Sequence, residues 1–143
     1  MLTVHRPWGS FKIIARSPSL WVKIIKIKKN QQTSLQYHKF RDEIHTVLSG
    51  EVAFTVGNRN VQLKNGAVII PAGIVHRITC VGKKAATVVE VAHGNPKESD
   101  IVRLMDDYGR VNKSTKILIA ILFSSMFFIS GNAFAGSSFQ DIS

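Results

Sequence analysis

Short runs of alternating hydrophobic and polar residues, separated by turn residues, cover most of the chain and predict an all-β protein. Glycine, proline and asparagine mark the turns, as in Lys64-Asn65-Gly66 and Pro71-Ala72-Gly73. Many short strands with frequent turns are typical of an antiparallel sandwich or barrel. The predicted strands are Trp21–Lys28, His45–Leu48, Val52–Val56, Val61–Leu63, Val68–Ile70, Arg77–Cys80 and Ala86–Val91.

Two local features complete this prediction. The first predicted strand alternates lysine with apolar residues, and the alternation shifts at Ile24-Ile25, where we predict a β-bulge. Beyond the last predicted strand, the segment from Asp100 to Tyr108 is expected to form one short helix packed on the outside of the barrel. The lysines of the first strand and its end are expected to form a solvated face: Lys23, Lys26, Lys28 and Lys29.

Side chains that can bind a metal recur on two separate segments. Gln36 and His38 precede Glu43, and His76 follows the Pro71-x-Gly73 turn. Because side chains alternate along a strand, Gln36 and His38 share one face of an extended segment. Each residue alone is more typical of a surface or a core, but the joint pattern favours one divalent ion held between neighbouring strands.

The following strand supports the same site. Glu43, His45 and Val47 share a face of it, so Glu43 converges with Gln36 and His38 if that face points inward. Imidazole suits zinc, iron, manganese or nickel, and a carboxylate with an amide oxygen shifts the preference toward borderline or harder ions.

Length and cysteine content predict one small domain. A chain of 143 residues fits a single core, and its one cysteine, Cys80, excludes an internal disulfide framework and suits a reducing compartment such as the cytoplasm. Cys80 is expected to be a small buried side chain. We place the domain at residues 1–112. No glycine-rich phosphate loop of the Gly-x-x-x-x-Gly-Lys-Ser/Thr kind occurs, and no nucleotidyltransferase domain fits beside the barrel.

The chain is strongly basic, with a formal net charge of +10. Such a charge suits nucleic acid, anionic lipid or a phosphorylated small molecule. Nucleic acid is not expected, because no recognised binding motif or aromatic stacking surface accompanies the lysines. Arg41 and Arg77 adjoin the proposed ligands and could hold a phosphate group through bidentate hydrogen bonds.

The hydrophobic tail, residues 113–143, differs from the rest of the chain. Residues 117–135 are 19 positions without a charge. A helix of that length spans roughly 28 Å, just enough for a bilayer. Lys116, the apolar run and Ala133-Phe134-Ala135 also resemble a secretory signal peptide with its cleavage site. Three interpretations stay open: a fused reading frame, a membrane anchor on an otherwise cytoplasmic barrel, and a packed soluble helix.

Several motifs together resemble a known family. Gln36-x-His38-x4-Glu43-x6-Gly50 and Pro71-x-Gly73-x2-His76 are similar to the two cupin motifs, with Gln36 in place of the usual first histidine. Over residues 5–110 the chain resembles the type II mannose-6-phosphate isomerase cupin, which often forms the C-terminal domain of mannose-1-phosphate guanylyltransferases. The specific motifs are Arg6-Pro7-Trp8-Gly9, Ser34-Leu35-Gln36-x-His38, Pro71-x-Gly73-x-x-His76-Arg77, Asp100-Ile101-Val102-Arg103 and Asp107-Tyr108-Gly109-Arg110.

The resemblance implies a fold and an activity. The fold is a single cupin barrel, a double-stranded β-helix similar to a jelly roll. The activity is metal-dependent interconversion of mannose 6-phosphate and fructose 6-phosphate, which feeds GDP-mannose and polysaccharide biosynthesis. The expected cofactor is one divalent ion, first zinc and otherwise manganese, iron, cobalt or nickel, and a homodimer is one expected assembly. The implied metal ligands are Gln36, His38, Glu43 and His76.

The same resemblance suggests roles for further residues. Arg41 matches a functional arginine of the family and would stabilise an enediolate or bind phosphate, together with Arg77 and Arg110 as substrate contacts. His45 or Glu90 would move the proton between the two carbons.

The chain departs from the family pattern at four positions. Phe40 stands where a second histidine is usual, Ile44-His45 replace His-Trp, Asn30 replaces a glycine, and Cys80 replaces an asparagine. The change at position 44 affects a position that is linked to activity in the family. Two other functions therefore stay open: a cupin epimerase or ketoisomerase acting on a nucleotide-linked sugar, and a non-catalytic sugar-binding module.

Overall fold

In the computed structural model, which describes residues 2–111 and 113–121, the first of these segments is built from antiparallel strands. The strands in chain order are β1 (Thr3–Arg6), β2 (Gly9–Arg16), β3 (Leu20–Ile27), β4 (Leu35–Tyr37), β5 (Arg41–Ser49), β6 (Val52–Val56), β7 (Arg59–Leu63), β8 (Ala67–Ile70), β9 (His76–Cys80), β10 (Ala86–Gly94) and β11 (Val102–Met105). A six-stranded sheet has the order β1-β2-β3-β10-β5-β8, and a five-stranded sheet has the order β11-β4-β9-β6-β7. The prediction of an all-β protein built from antiparallel strands is confirmed.

The interior is apolar at one end and polar at the other. On β5 the inward residues change from Glu43 and His45 to Val47, and on the antiparallel β10 they change from Val88 to Glu90. The register pairs Glu90 with His45 and Val88 with Val47, so the two changes coincide across the sheet. The apolar end is a cluster of buried residues from both sheets: Trp8, Phe11, Ile25, Ile27, Val47, Val52, Phe54, Ile78, Cys80, Ala86 and Val88.

The predicted helix over residues 100–108 is wrong. Val102–Met105 is strand β11, which pairs antiparallel with β4 at the edge of the five-stranded sheet. The Asp100 carboxylate accepts hydrogen bonds from the backbone N–H groups of Lys39 and Phe40, at 2.9 and 3.0 Å. These long-range bonds hold the segment beside β4, and the sheet then supplies the backbone partners that a helix would have found within itself.

The predicted bulge at Ile24-Ile25 is also misplaced. The pairing of β3 with β10 runs without a break through both residues, and the register shift lies on β2, between Ile13 and Ala15. The alternation of β3 is regular because Lys23 points inward, where it is buried, while Lys26 remains exposed. The prediction that Lys23 belongs to the solvated face is therefore wrong, because Lys23 and Lys26 lie on opposite faces of the strand.

Asn30 has a positive φ of 59°. This left-handed conformation favours glycine, and asparagine is among the other residues that adopt it most readily. The substitution of glycine by Asn30 thus preserves the turn that leads into the site.

The chain divides into two compact units, Met1–Arg110 and Val111–Ser143. The described part of the second unit is a helix, α1, over residues 113–121. Within the described residues, no helix is both long and apolar enough to cross a membrane. Most of the predicted uncharged segment, residues 122–135, lies outside the described part of the chain.

Candidate functional site

Strand β5 carries the centre of the site. Its side chains alternate, so that Arg41, Glu43, His45 and Val47 are buried while the residues between them face outward or are partly exposed. The face that Glu43, His45 and Val47 share therefore points inward, which is the condition for Glu43 to converge with Gln36 and His38. The Glu43 side chain is 2 % exposed and lies between histidines from three different segments.

Two of these histidines are oriented for metal binding. Nδ1 of His38 lies within hydrogen-bond distance of the backbone carbonyl of Asp100, and Nδ1 of His76 is 2.9 Å from the carbonyl oxygen of Ile74. A carbonyl oxygen only accepts, so both rings carry their proton on Nδ1 and leave a lone pair on Nε2. Metal-binding histidines are typically fixed in this way.

The free nitrogens face the Glu43 carboxylate. Nε2 of His38 is 3.3 Å from Oε1 of Glu43, and Nε2 of His76 is 3.3 Å from Oε2. One ligand atom from each of the three residues lies within 4.8 Å of the other two. Nε2 of His76 is buried and has no well-directed hydrogen bond, which is the property expected of an atom that awaits a ligand. The three side chains therefore suit one divalent ion.

Gln36 lies at the edge of this group. It is the cross-strand neighbour of His76, and its Nε2 atom is 3.5 Å from Nε2 of His38. Its Oε1 atom accepts a hydrogen bond of 2.6 Å from the Ser34 hydroxyl. A rotation of the amide by half a turn would point the oxygen toward the histidines, so Gln36 can serve as a fourth ligand only in that orientation.

The protonation states fit ligands. Burial, together with the nearby charge of Arg41, lowers the pKa of His38 to about 4, although Glu43 opposes this change. His38 is therefore neutral at pH 7, and its short distance to Glu43 is not an ion pair. Burial alone would raise the pKa of Glu43, but the neighbouring groups, first the hydrogen bond with His45, outweigh burial and lower it well below its usual range.

Arg41 contacts the same ligand atoms. Its Nε donates to Oε1 of Glu43 at 2.7 Å, and its Nη2 donates to Nε2 of His38 at 3.0 Å. Its Nη1 donates to the carbonyl oxygen of Lys97 at 2.8 Å. The buried guanidinium thus donates to the lone pairs on Oε1 of Glu43 and Nε2 of His38, which a metal ion would also bind. An ion at His38 and Glu43 would displace these two N–H groups and make them available to a substrate.

His45 and Glu90 form a second polar pair beside Glu43. Nε2 of His45 is 3.1 Å from Oε2 of Glu43 and 3.8 Å from Oε2 of Glu90. Burial opposes a charged imidazole, yet the hydrogen bond to Glu43 and the charges of both carboxylates raise the pKa of His45. The structure therefore brings together the two residues predicted to move protons.

The sequence prediction missed Lys23 and Glu98. Nζ of Lys23 is 3.3 Å from Oε1 of Glu90 and 2.9 Å from Oε1 of Glu98. Burial would lower the pKa of Lys23, but the two carboxylates raise it. The available signal was that Lys23 and Lys26 have opposite parity on β3, so that they cannot both belong to one solvated face.

The charged residues that line the cavity are mostly basic. One predicted substrate contact, Arg77, is not among them. Arg41 and Arg110 line the cavity, as expected. Arg77 does not, because it follows His76 on β9 and therefore points to the outer face, where Nη2 contacts the carbonyl oxygen of Met105 at 3.4 Å. Strand alternation alone could have excluded Arg77. The basic residues that line the cavity are Arg6, Lys23, Arg41, Arg103 and Arg110.

Two facing antiparallel sheets, with histidine and carboxylate side chains turned into a cavity between them, define the cupin class of β-barrels. The family described as mannose-6-phosphate isomerase C-terminal matches residues 1–107. The chain belongs to this family.

Similar curated proteins share this domain. The chain is 38 % identical over 109 residues to the xanthan biosynthesis protein XanB of Xanthomonas campestris pv. campestris strain B100, covering 75 % of this chain and 23 % of that protein. It is 34 % identical over 110 residues to mannose-1-phosphate guanylyltransferase of Escherichia coli K12, covering 76 % of this chain and 23 % of that protein. The chain thus spans about a quarter of the length of these relatives.

Solved structures share the fold. KdgF from Halomonas sp. has a TM-score of 0.63 at 17 % identity, covering 69 % of this chain and 92 % of that chain. The capsular polysaccharide assembling protein CapF from Staphylococcus aureus has a TM-score of 0.64 at 20 % identity, covering 73 % of this chain and 34 % of that chain.

Proposed function

We propose that the protein is a metal-dependent sugar-phosphate isomerase that interconverts mannose 6-phosphate and fructose 6-phosphate. The observation that carries this proposal is the buried group of His38, Glu43 and His76, which lies next to a histidine–carboxylate pair in a basic cavity. Membership of the family supports the choice of substrate.

The reaction moves one proton from C2 to C1 of the open-chain sugar and one hydroxyl proton from O2 to O1, with no net gain or loss. A divalent ion held by His38, Glu43 and His76 would polarise the sugar oxygens and stabilise negative charge on them. Arg41 would donate hydrogen bonds to the same enediolate oxygens. His45 and Glu90 are adjacent, so one of them can accept the carbon-bound proton while the other stabilises the change in charge on the acceptor.

The departures from the family pattern do not remove a group from the cavity. Phe40 is 62 % exposed and Ile44 is 42 % exposed, and neither lines the cavity. These two residues therefore give little support to a non-catalytic module. A cupin that acts on a nucleotide-linked sugar remains the alternative enzyme, and turnover of a nucleotide sugar but not of mannose 6-phosphate would favour it.

The test is an isomerisation assay with mannose 6-phosphate after addition of zinc, manganese, iron, cobalt or nickel to metal-free protein. His76→Ala should lose zinc binding and turnover together, because removal of one of few ligands costs both affinity and geometry. His93→Ala is the matched control, since His93 is exposed at the end of β10. Absence of turnover in the metal-loaded wild-type protein would refute the isomerase.

A further inference from the structure

Two guanidinium groups in the cavity wall lack a carboxylate partner. Asp106 holds Arg110, Glu43 holds Arg41, and Lys23 is paired with Glu90 and Glu98. Within the described residues, no carboxylate lies within ion-pair distance of the two other arginines of the cavity wall, Arg6 and Arg103. Nε of Arg103 is moreover buried without a hydrogen-bond partner. Buried donors are normally satisfied, and this one belongs to a residue that lines the cavity, where an anionic ligand could accept its hydrogen bond.

Strand register relates Arg103 to the candidate metal centre. Arg103 on β11 is opposite Gln36 on β4, and Gln36 is opposite His76 on β9. Directly opposite residues share a face of the sheet, and adjacent strands are about 4.8 Å apart. Arg103 therefore begins about 10 Å from His76 in the same row of inward residues. A sugar whose C1 and C2 lie at the metal ligands would extend its other end along this row.

Arg110 is held near Arg103 by its own segment. Its Nη2 and Nε atoms lie 2.5 and 3.1 Å from Oδ1 of Asp106, and its guanidinium carbon lies 5.2 Å from the Tyr108 ring centre. The Tyr108 hydroxyl donates to Oε1 of Gln31 at 2.7 Å, which attaches the segment to the barrel. Arg110 is therefore a preorganised cation, whereas Arg103 keeps unused donors.

The guanidinium groups of Arg6, Arg103 and Arg110 are close enough for their positive charges to interact. Burial, then the charge of Arg110, lowers the pKa of the Arg103 guanidinium, and the charge of Arg6 acts in the same direction, while the carboxylates of Asp106 and Glu98 oppose the change. The repulsion costs stability in the free protein, and an anion between the guanidinium groups would relieve it.

We propose that Arg6, Arg103 and Arg110 form the subsite that binds the phosphate dianion of the substrate, at the opposite end of the cavity wall from the metal ligands. Guanidinium groups recognise phosphate through paired N–H donors, which a single ammonium group cannot reproduce. This inference rests on the proposed function for the identity of the sugar but not for the identity of the anion. It also accounts for the basic residues that the isomerisation chemistry leaves unused.

The test compares two arginines that each have a buried, unpaired Nε atom: Arg103, which lines the cavity, and Arg77, which faces outward. Calorimetric titrations of the full-length, zinc-loaded protein would use mannose 6-phosphate, mannose and inorganic phosphate. Arg103→Gln should weaken binding of mannose 6-phosphate and phosphate by about ten- to a hundredfold. Its affinity for mannose should not change, and Arg77→Gln should not weaken binding of any of the three ligands.

The outcomes separate this subsite from the proposed function. If the wild-type protein isomerises mannose 6-phosphate but Arg103→Gln leaves its KM and Kd unchanged, the subsite is wrong and the isomerase stands. If phosphate affinity falls only in Arg103→Gln while no variant or wild-type protein shows turnover, the subsite stands and the isomerase is wrong. If mannose 6-phosphate does not displace bound inorganic phosphate from the wild-type protein, the proposed subsite is also wrong. Should Arg103→Gln fail to fold, Arg6→Gln is judged by the same criteria.

Discussion

At the scale of single residues, Arg41 links the metal ligands to the chemistry. Its guanidinium donates to His38 and Glu43, so in the metal-free protein it partly neutralises a carboxylate whose side chain is 2 % exposed. A metal ion and this guanidinium compete for the same lone pairs. Arg41 is therefore expected to oppose metal binding slightly and to assist catalysis, which are separable effects.

Arg41→Ala should leave zinc affinity unchanged or increased, because a competing donor is removed. Turnover should fall by about 10²-fold, the usual effect of losing one donor that stabilises transition-state charge. Zinc titration and steady-state kinetics on the same preparation measure both effects. Arg41→Lys is the control, and it should restore little activity because an ammonium group lacks the paired donors. A loss of zinc affinity in the alanine variant would show that Arg41 supports the ligands instead of competing with them.

At the scale of elements, strand β3 joins β10 and the segment after it through one buried cation. Lys23 contacts Glu90 on β10 and Glu98 beyond the end of that strand. Its Nζ atom also lies 5.1 Å from the Phe11 ring centre and 5.0 Å from that of Trp21. The pair with Glu90 is deeply buried, whereas the Glu98 side chain is 52 % exposed, so most of the stabilisation is expected from Glu90.

Lys23→Met should destabilise the protein by about 3 kcal/mol at pH 7, because it leaves Glu90 buried without its cation. Burial would raise the pKa of Glu98, but Lys23 outweighs burial and lowers it below its ordinary value of 4.5. A carboxyl group with a lowered pKa stabilises the folded state above its ordinary pKa and loses that effect as the pH falls through the lower, folded value. The part of the difference that comes from Glu98 should therefore disappear as the pH falls below 4.5, which narrows the difference in stability between the variant and wild type.

Urea denaturation at pH 7 and in steps below pH 4.5 measures this difference. Lys26→Met is the matched control, since Lys26 lies on the same strand and is exposed. Lys26→Met should change the free energy of unfolding little at pH 7 and at the lower pH values. A Lys23→Met variant as stable as the Lys26→Met variant at pH 7 would contradict the assigned ion pairs.

At the scale of the whole molecule, the described barrel is complete before the tail begins. All of its strands lie between Thr3 and Met105, and the core cluster uses no residue beyond Tyr108. Truncation after Asn112 should therefore leave the melting temperature essentially unchanged, because the described strands and core cluster all precede the cut. Thermal denaturation of the truncated and full-length chains, followed by circular dichroism, tests this. A fall of several degrees on truncation would show that the tail contributes to the folded core.

The fold and much of the candidate site could be predicted from local patterns. Strand alternation placed Glu43 and His45 on one face of their strand, and the Pro71-x-Gly73 turn indicated the approach of His76. These inferences held because alternation and turn chemistry act over a few residues, and a strand with mixed residues buries one face.

The sequence by itself therefore determined the class of fold, the position of the turns and a set of candidate metal ligands. Only the tertiary structure decided that Lys23 faces Glu90 and Glu98, that Arg103 enters the cavity, and that residues 102–105 form a strand. Alternation divides a strand into two faces but does not say which one is buried when both carry apolar side chains. That choice depends on partners 67 and 75 residues away in the case of Lys23, and only the pairing of distant strands brings them together.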